Sequence, residues 1–187
     1  SIDLSAQSPR DIALLRPVEE GGTTAAGRAG FDVGGILLEN AWVTAELAGL
    51  PALTSTGEAV ELVARRGGSE ELAWRVTPGQ STWSAEIVAR KMGRETVLSQ
   101  ASMPSPGATA QLSFHVIGGE AWGVLDGMMV VHSADVPVLG QGLCGVRVPS
   151  VPDLSLRRLS VAPEHPLSPM TDPVEAFAQE GSMQSWS

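Results

Sequence analysis

From about residue 30 to residue 162 the hydrophobic positions recur at every second residue, the period of a half-buried strand and not of a helix. Residues 59–66 (AVELVARR) place Val60, Leu62 and Ala64 on one face and Glu61, Val63 and Arg65 on the other. Residues 81–92 carry Trp83, Ala85, Ile87 and Ala89 in phase, and residues 110–119 set Leu112, Phe114 and Val116 against Gln111, Ser113 and His115. Further short apolar or alternating runs fall at 34–39, 41–47, 70–77, 95–102, 143–149 and 154–162. Gly67-Gly68, Pro78-Gly79 and Gly93-Arg94 separate neighbouring runs as turns. About ten short strands at this spacing predict a sandwich or barrel.

Residues 121–133 (AWGVLDGMMVVHS) hold two apolar runs on either side of Asp126-Gly127. An Asp-Gly pair in that setting predicts a hairpin with positive φ at both turn residues. The apolar residues here are consecutive, not alternate, which predicts a strand covered on both faces. Outside the strand region the pattern breaks. Residues 1–29 are interrupted by Pro9, Pro17 and Gly21-Gly22 and are expected to form an N-terminal arm, in which DIALLR suits either a helical turn or a short strand. Residues 163–187 form a Pro-rich C-terminal arm, where Asp172 and Pro173 suit the start of a short helix running through Phe177. The expected organisation is thus arm, β-sandwich domain over 30–162, and arm.

Composition agrees with one core: 187 residues, 43% hydrophobic, with 21 glycines and 13 prolines to make turns. The net charge of −9 opposes phosphate backbones and anionic membrane surfaces, so nucleic acid is not an expected partner. Cys144 is the single cysteine, so no intrachain disulfide forms. It sits in an apolar run with no cation beside it, and a buried, inert thiol is expected. No apolar run approaches the roughly 20 residues of a membrane helix, and no signal-peptide pattern is visible.

Three stretches carry a resemblance: LSFHVIGG followed by AWGVLDGMMVV, then GQGLCGVRV, then DLSLRRLSV. Their order resembles the concanavalin A-like lectin and glucanase jelly roll, including its laminin G-like branch, over about two thirds of the chain. The resemblance implies an all-β fold, a two-sheet antiparallel jelly-roll sandwich flanked by irregular arms. It also implies an extracytoplasmic setting, periplasmic or cell-surface.

Candidate chemistry is sparse. A retaining glycosidase needs two carboxyls about 5 Å apart, which one strand supplies as acid-x-acid or acid-x-x-x-acid. Among the acids near the expected strands, only Glu58 with Glu61 and Glu70 with Glu71 are close in sequence, and neither spacing shares a strand face, so no enzyme is expected. Asp126 is explained by its turn. Calcium takes roughly six to eight oxygens, and the next acid is Asp135. Asp135 and Asp153 read as loop residues, and His115 and His132, without metal-ligand spacing, as partly exposed strand residues; no metal or cofactor is expected.

Among the tryptophans, Trp83 and Trp122 lie in phase with apolar neighbours and are expected in the core. Trp42 and Trp74 are the candidates for a sugar-stacking surface. Two functions remain. The first is a non-catalytic interaction subunit docking onto a larger protein assembly, membrane-bound assemblies included, with Leu14, Leu15, Leu167, Met170, Phe177 and Trp186 as apolar anchors in the arms. The second is a carbohydrate-binding module, which requires Trp42 or Trp74 exposed on a concave face among polar neighbours.

Overall fold

A computed structural model describes residues 15–17, 28–33, 37–137 and 140–163. Among these are twelve strands, one 310 turn at Leu50–Ser55 and no α-helix. In chain order the strands are β1 (Leu15–Pro17), β2 (Arg28–Val33), β3 (Ala41–Ala48), β4 (Val60–Gly67), β5 (Glu70–Thr77) and β6 (Trp83–Lys91). They continue as β7 (Arg94–Met103), β8 (Thr109–Ile117), β9 (Glu120–Leu125), β10 (Met128–Ser133), β11 (Leu143–Pro149) and β12 (Ser155–Pro163). A seven-stranded sheet runs β1-β2-β11-β4-β5-β6-β7 and a five-stranded sheet runs β10-β9-β8-β3-β12. All pairings are antiparallel, and the two sheets pack face to face.

The alternation read from the sequence decides which side chains enter the core. In β3, Ala41, Val43, Ala45 and Leu47 point inward, while Trp42, Thr44, Glu46 and Ala48 point outward. Trp74 of β5, fully buried, crosses the interior to the opposite sheet and lies over Gly123 of β9. A Cβ at position 123 would sit 2.5 Å from the indole, so β9 carries glycine where the ring needs the room. An indole of this size buries roughly 150–250 Å², worth about 5 kcal/mol at 25 cal/mol per Å². Trp83 and Cys144 are buried in the same core.

The sequence pattern missed some elements. Leu15–Pro17 and Arg28–Ala29, expected within the N-terminal arm, pair into the seven-stranded sheet as β1 and the start of β2. Pro17 is tolerated because β1 is an edge strand. The expected strand at 34–39 is reduced, among the described residues, to a bridge between Leu38 and Gly142. The Asp126-Gly127 turn forms as expected, with φ of 48° and 84°. The helix expected at 172–177 lies outside the described residues.

The doubly covered strand at 121–133 forms only in part. Val124 is buried on the outward side, but Met128 and Met129 are about half exposed.

Candidate functional site

Each sheet turns one face away from the core, and the two outer faces differ in chemistry. On the seven-stranded sheet, Val63, Ala73 and Val88 form an apolar row across β4, β5 and β6, all buried. Charged rows flank it, and ion pairs cross over it. Arg90 grips Glu61 through Nη1 and Nη2 at 3.0 and 2.5 Å, and Arg147 grips Glu71 at 2.7 and 2.8 Å. The Nη1 of each arginine also reaches the other glutamate, at 2.7 Å for Arg90 and 3.2 Å for Arg147, closing a four-residue ring. Arg75 spans the same row to Glu95 at 2.8 Å while bonding Glu86 at 2.8 Å.

This lattice brings together two carboxyls that lie on different strands, outside the single-strand spacings considered in the sequence. Glu61 and Glu71 converge from adjacent strands, a pairing that spacing along one strand does not reveal. It does not supply an acid–base pair. Burial by itself would raise the Glu71 carboxyl, but hydrogen bonds and charge from Arg147 and Arg90 outweigh it and hold the group below its ordinary range. Held as a carboxylate and saturated with guanidinium donors, Glu71 has no proton to give near neutral pH.

The outer face of the five-stranded sheet is aromatic, with His115, Ser113 and Val124 buried and Trp42 partly exposed. Cross-strand register places Ala162, Trp42, His115, Trp122 and His132 in one row, one residue on each of the five strands. The Trp42 and His115 ring centroids are 4.4 Å apart with planes 35° apart, and those of Trp122 and His132 are 5.2 Å apart at 24°. The rings of each pair are thus in contact across neighbouring strands. His132 Nε2 also meets Glu120 Oε1 at 3.0 Å. His115 is 2% exposed, not the partly exposed histidine the sequence suggests, because it stands on the inner strand β8 against Trp42.

Trp42 is 39% exposed. His115 contacts it from β8, and Ala162 of β12 sits opposite it in register. There a groove of about 360 Å³ opens, lined by Trp42, Thr44 and Glu46 of β3, Gln111 of β8, and Arg158 and Ser160 of β12. A bulge at Arg157 sets Arg158 across from Glu46. Asp126 fixes the Gln111 backbone: its Oδ1 accepts the Gln111 N–H and its own N–H donates to the Gln111 carbonyl, each at 2.8 Å. The Thr44 and Ser113 hydroxyls lie 3.2 Å apart in the neighbouring row.

At the end of the sheet where β3 begins, Arg65 is buried and clamps three segments. It donates to the carbonyls of Glu39, Gly118 and Pro137 at 2.6, 2.8 and 3.3 Å, while the Asn40 side-chain oxygen accepts the Gly118 N–H at 2.8 Å. These bonds fix the chain two residues before Trp42.

Of the sugar-stacking candidates, then, Trp42 lies at a surface groove and Trp74 does not. Trp74 is a core residue because its position on β5 is in phase with Leu72 and Val76. Trp122 also departs from expectation: the inward positions of β9 are Ala121, Gly123 and Leu125, so the ring faces outward. Of the proposed arm anchors, Leu14, Leu167, Met170, Phe177 and Trp186 lie outside the described residues, and only the backbone of Leu15 is described. Among the described residues there is no cluster of three or more His, Cys, Asp or Glu able to hold a metal, and no helix long and apolar enough to cross a membrane.

No family model matches the sequence, and no curated protein matches it. Solved structures do match the fold. The carbohydrate-binding module CBM66 from Bacillus subtilis superimposes with a TM-score of 0.60 at 12% identity, covering 79% of this chain and 94% of that one. The Caenorhabditis elegans galectin LEC-6 matches with a TM-score of 0.52 at 14% identity, covering 83% and 98%. A native glycosidic hydrolase matches with a TM-score of 0.50 at 9% identity, covering 74% and 78%. The chain has the concanavalin A-like, galectin-like jelly-roll fold that the sequence resemblance implied.

Proposed function

We propose that this chain is a non-catalytic carbohydrate-binding module and that its site is the groove beside Trp42. The observation that carries the reading is the Trp42 indole, 39% exposed at a groove whose lining continues with hydrogen-bonding side chains. The C–H-rich face of a pyranose stacks on an indole, and its hydroxyls need donors and acceptors at the rim. Thr44, Glu46, Gln111, Arg158 and Ser160 supply both. The fold neighbours named as a carbohydrate-binding module and a galectin support this reading over the docking subunit.

The groove lining holds one carboxylate, Glu46, where glycoside hydrolysis calls for two. The binding step is therefore taken to be the function, with no bond cleaved.

The test is a panel of immobilised glycans probed with the wild-type chain and with Trp42→Ala. Wild type is expected to be retained on a subset of the panel. The variant should still fold, with a cooperative melt, and be retained on none of it. Retention of neither protein, or equal retention of both, would overturn the reading. Release of reducing ends from a retained glycan would overturn its non-catalytic part.

A further inference from the structure

The shape of the groove restricts what can fill it, and the argument here rests on the glycan-binding reading. Across the sheet the row beyond Trp42 is filled by ring pairs, His115 against Trp42 and then Trp122 against His132, and none of His115, Trp122 and His132 lines the groove. Along the strands the groove continues from Trp42 and Ala162, past Thr44 and Ser160, to Glu46, Arg158 and Gln111. Trp42 and Glu46 are four residues apart on β3, about 13 Å at the rise of a strand, longer than one pyranose ring.

The chemistry changes along this path. One end is an aromatic platform. The middle is floored by the short hydroxyl side chains of Thr44 and Ser160. The other end offers a carboxylate, an amide and a guanidinium. Glu46 and Arg158 sit opposite each other in register across the β3–β12 pair, while the whole chain carries −9. A ligand bearing its own carboxylates or sulfates would meet Glu46 and that net field.

We infer that the ligand is a neutral oligosaccharide of at least two residues, lying along β3 and β12 and not across the sheet. One sugar stacks on Trp42 and the next is hydrogen-bonded at Glu46 and Gln111.

Calorimetric titration with mono-, di- and trisaccharide forms of the neutral glycan retained on the panel, and with a carboxylated disaccharide, tests this. Affinity is expected to rise about tenfold or more from one residue to two, and to fall about tenfold or more for the carboxylated form. The double variant Glu46→Gln/Gln111→Ala should erase the gain from the second residue. Ser160→Trp, in mid-groove, should remove the same gain. His132→Ala, at the far end of the across-sheet path, should change nothing. The inference is overturned by equal affinity for one residue and two, by a gain that survives the double variant, by tighter binding of the carboxylated form, or by a loss in His132→Ala. Binding that depends on Trp42 without a length gain would sink this inference alone. No binding to any glycan would sink the reading beneath it as well.

Discussion

Trp42 and Ala162 stand directly opposite each other in the β3–β12 pair, the largest kind of side chain facing one of the smallest across an open sheet face. Any larger residue at 162 would rest on the indole and close the stacking surface. Ala162→Leu is expected to reduce glycan affinity at least about tenfold. Position 162 is exposed, so stability should stay within about 0.5 kcal/mol of wild type. Titration beside a thermal melt checks both, and unchanged affinity would show that the open face of Trp42 is not used.

Asp126 joins turn and groove. Removing its side chain in Asp126→Ala leaves the Gln111 N–H without the 2.8 Å acceptor and frees the strand that presents Gln111. A loss of about 1 kcal/mol of stability is expected by urea unfolding, with a weaker gain in affinity from the second sugar. Gly127→Val tests the turn itself: no neighbour blocks a Cβ there, but φ is +84°, so about 1 kcal/mol of pure backbone strain should appear.

Gly123 and Trp74 test the core. Gly123→Ala pushes a methyl group against an indole that is packed on all sides, and overpacking of this kind costs about 1–3 kcal/mol. A smaller urea midpoint with an unchanged slope is the expected signature. Wild-type stability in this variant would mean that Trp74 has room to move.

The arginine–glutamate lattice gives the fold an acid-sensitive face. The Glu71 carboxyl titrates below its ordinary value of 4.5 in the folded chain, and Glu95 is likewise lowered, chiefly by Arg75. A depressed folded value means that the stabilisation is fully present above the unfolded value and is lost as pH falls through the folded one. Unfolding free energy should therefore carry the full contribution of this pair, with no slope from it, between pH 6 and 8 and decline below about pH 4.5. Glu71→Gln should cost about 3 kcal/mol at neutral pH, because Arg147 and Arg90 lose a shared partner at a largely buried site, and the acid slope should flatten. An unchanged slope would show that the lattice does not couple to folding.

Much of the fold was legible because alternation is a local property. Runs such as 59–66 and 110–119 declare their inward faces without reference to any partner strand, and Asp126-Gly127 declares its turn. Alternation alone assigned Trp83 correctly but not every tryptophan. Trp122 shares its phase with Val124, which reads as a core face, yet the inward position between them is a glycine whose place the distant Trp74 ring fills. Trp74 itself alternates in a strand whose two faces are both buried, so no polar face marked it as internal.

The candidate site was half legible. Trp42 could be named from its strand, but its neighbours come from register. Arg158 faces Glu46 only because β12 pairs with β3 and a bulge at Arg157 shifts the phase by one residue. Glu61 and Glu71 likewise meet only through the β4–β5 and β4–β11 pairings.

The most direct measurement follows the indole N–H resonances while wild-type protein is titrated with the neutral disaccharide form of the best-retained glycan. The resonance that disappears in Trp42→Phe identifies Trp42. It should shift progressively and saturate, while those of the buried Trp74 and Trp83 stay in place. A saturating shift at another tryptophan with Trp42 unmoved, or no shift at any indole under conditions where the glycan is bound, would contradict the assignment of the groove beside Trp42.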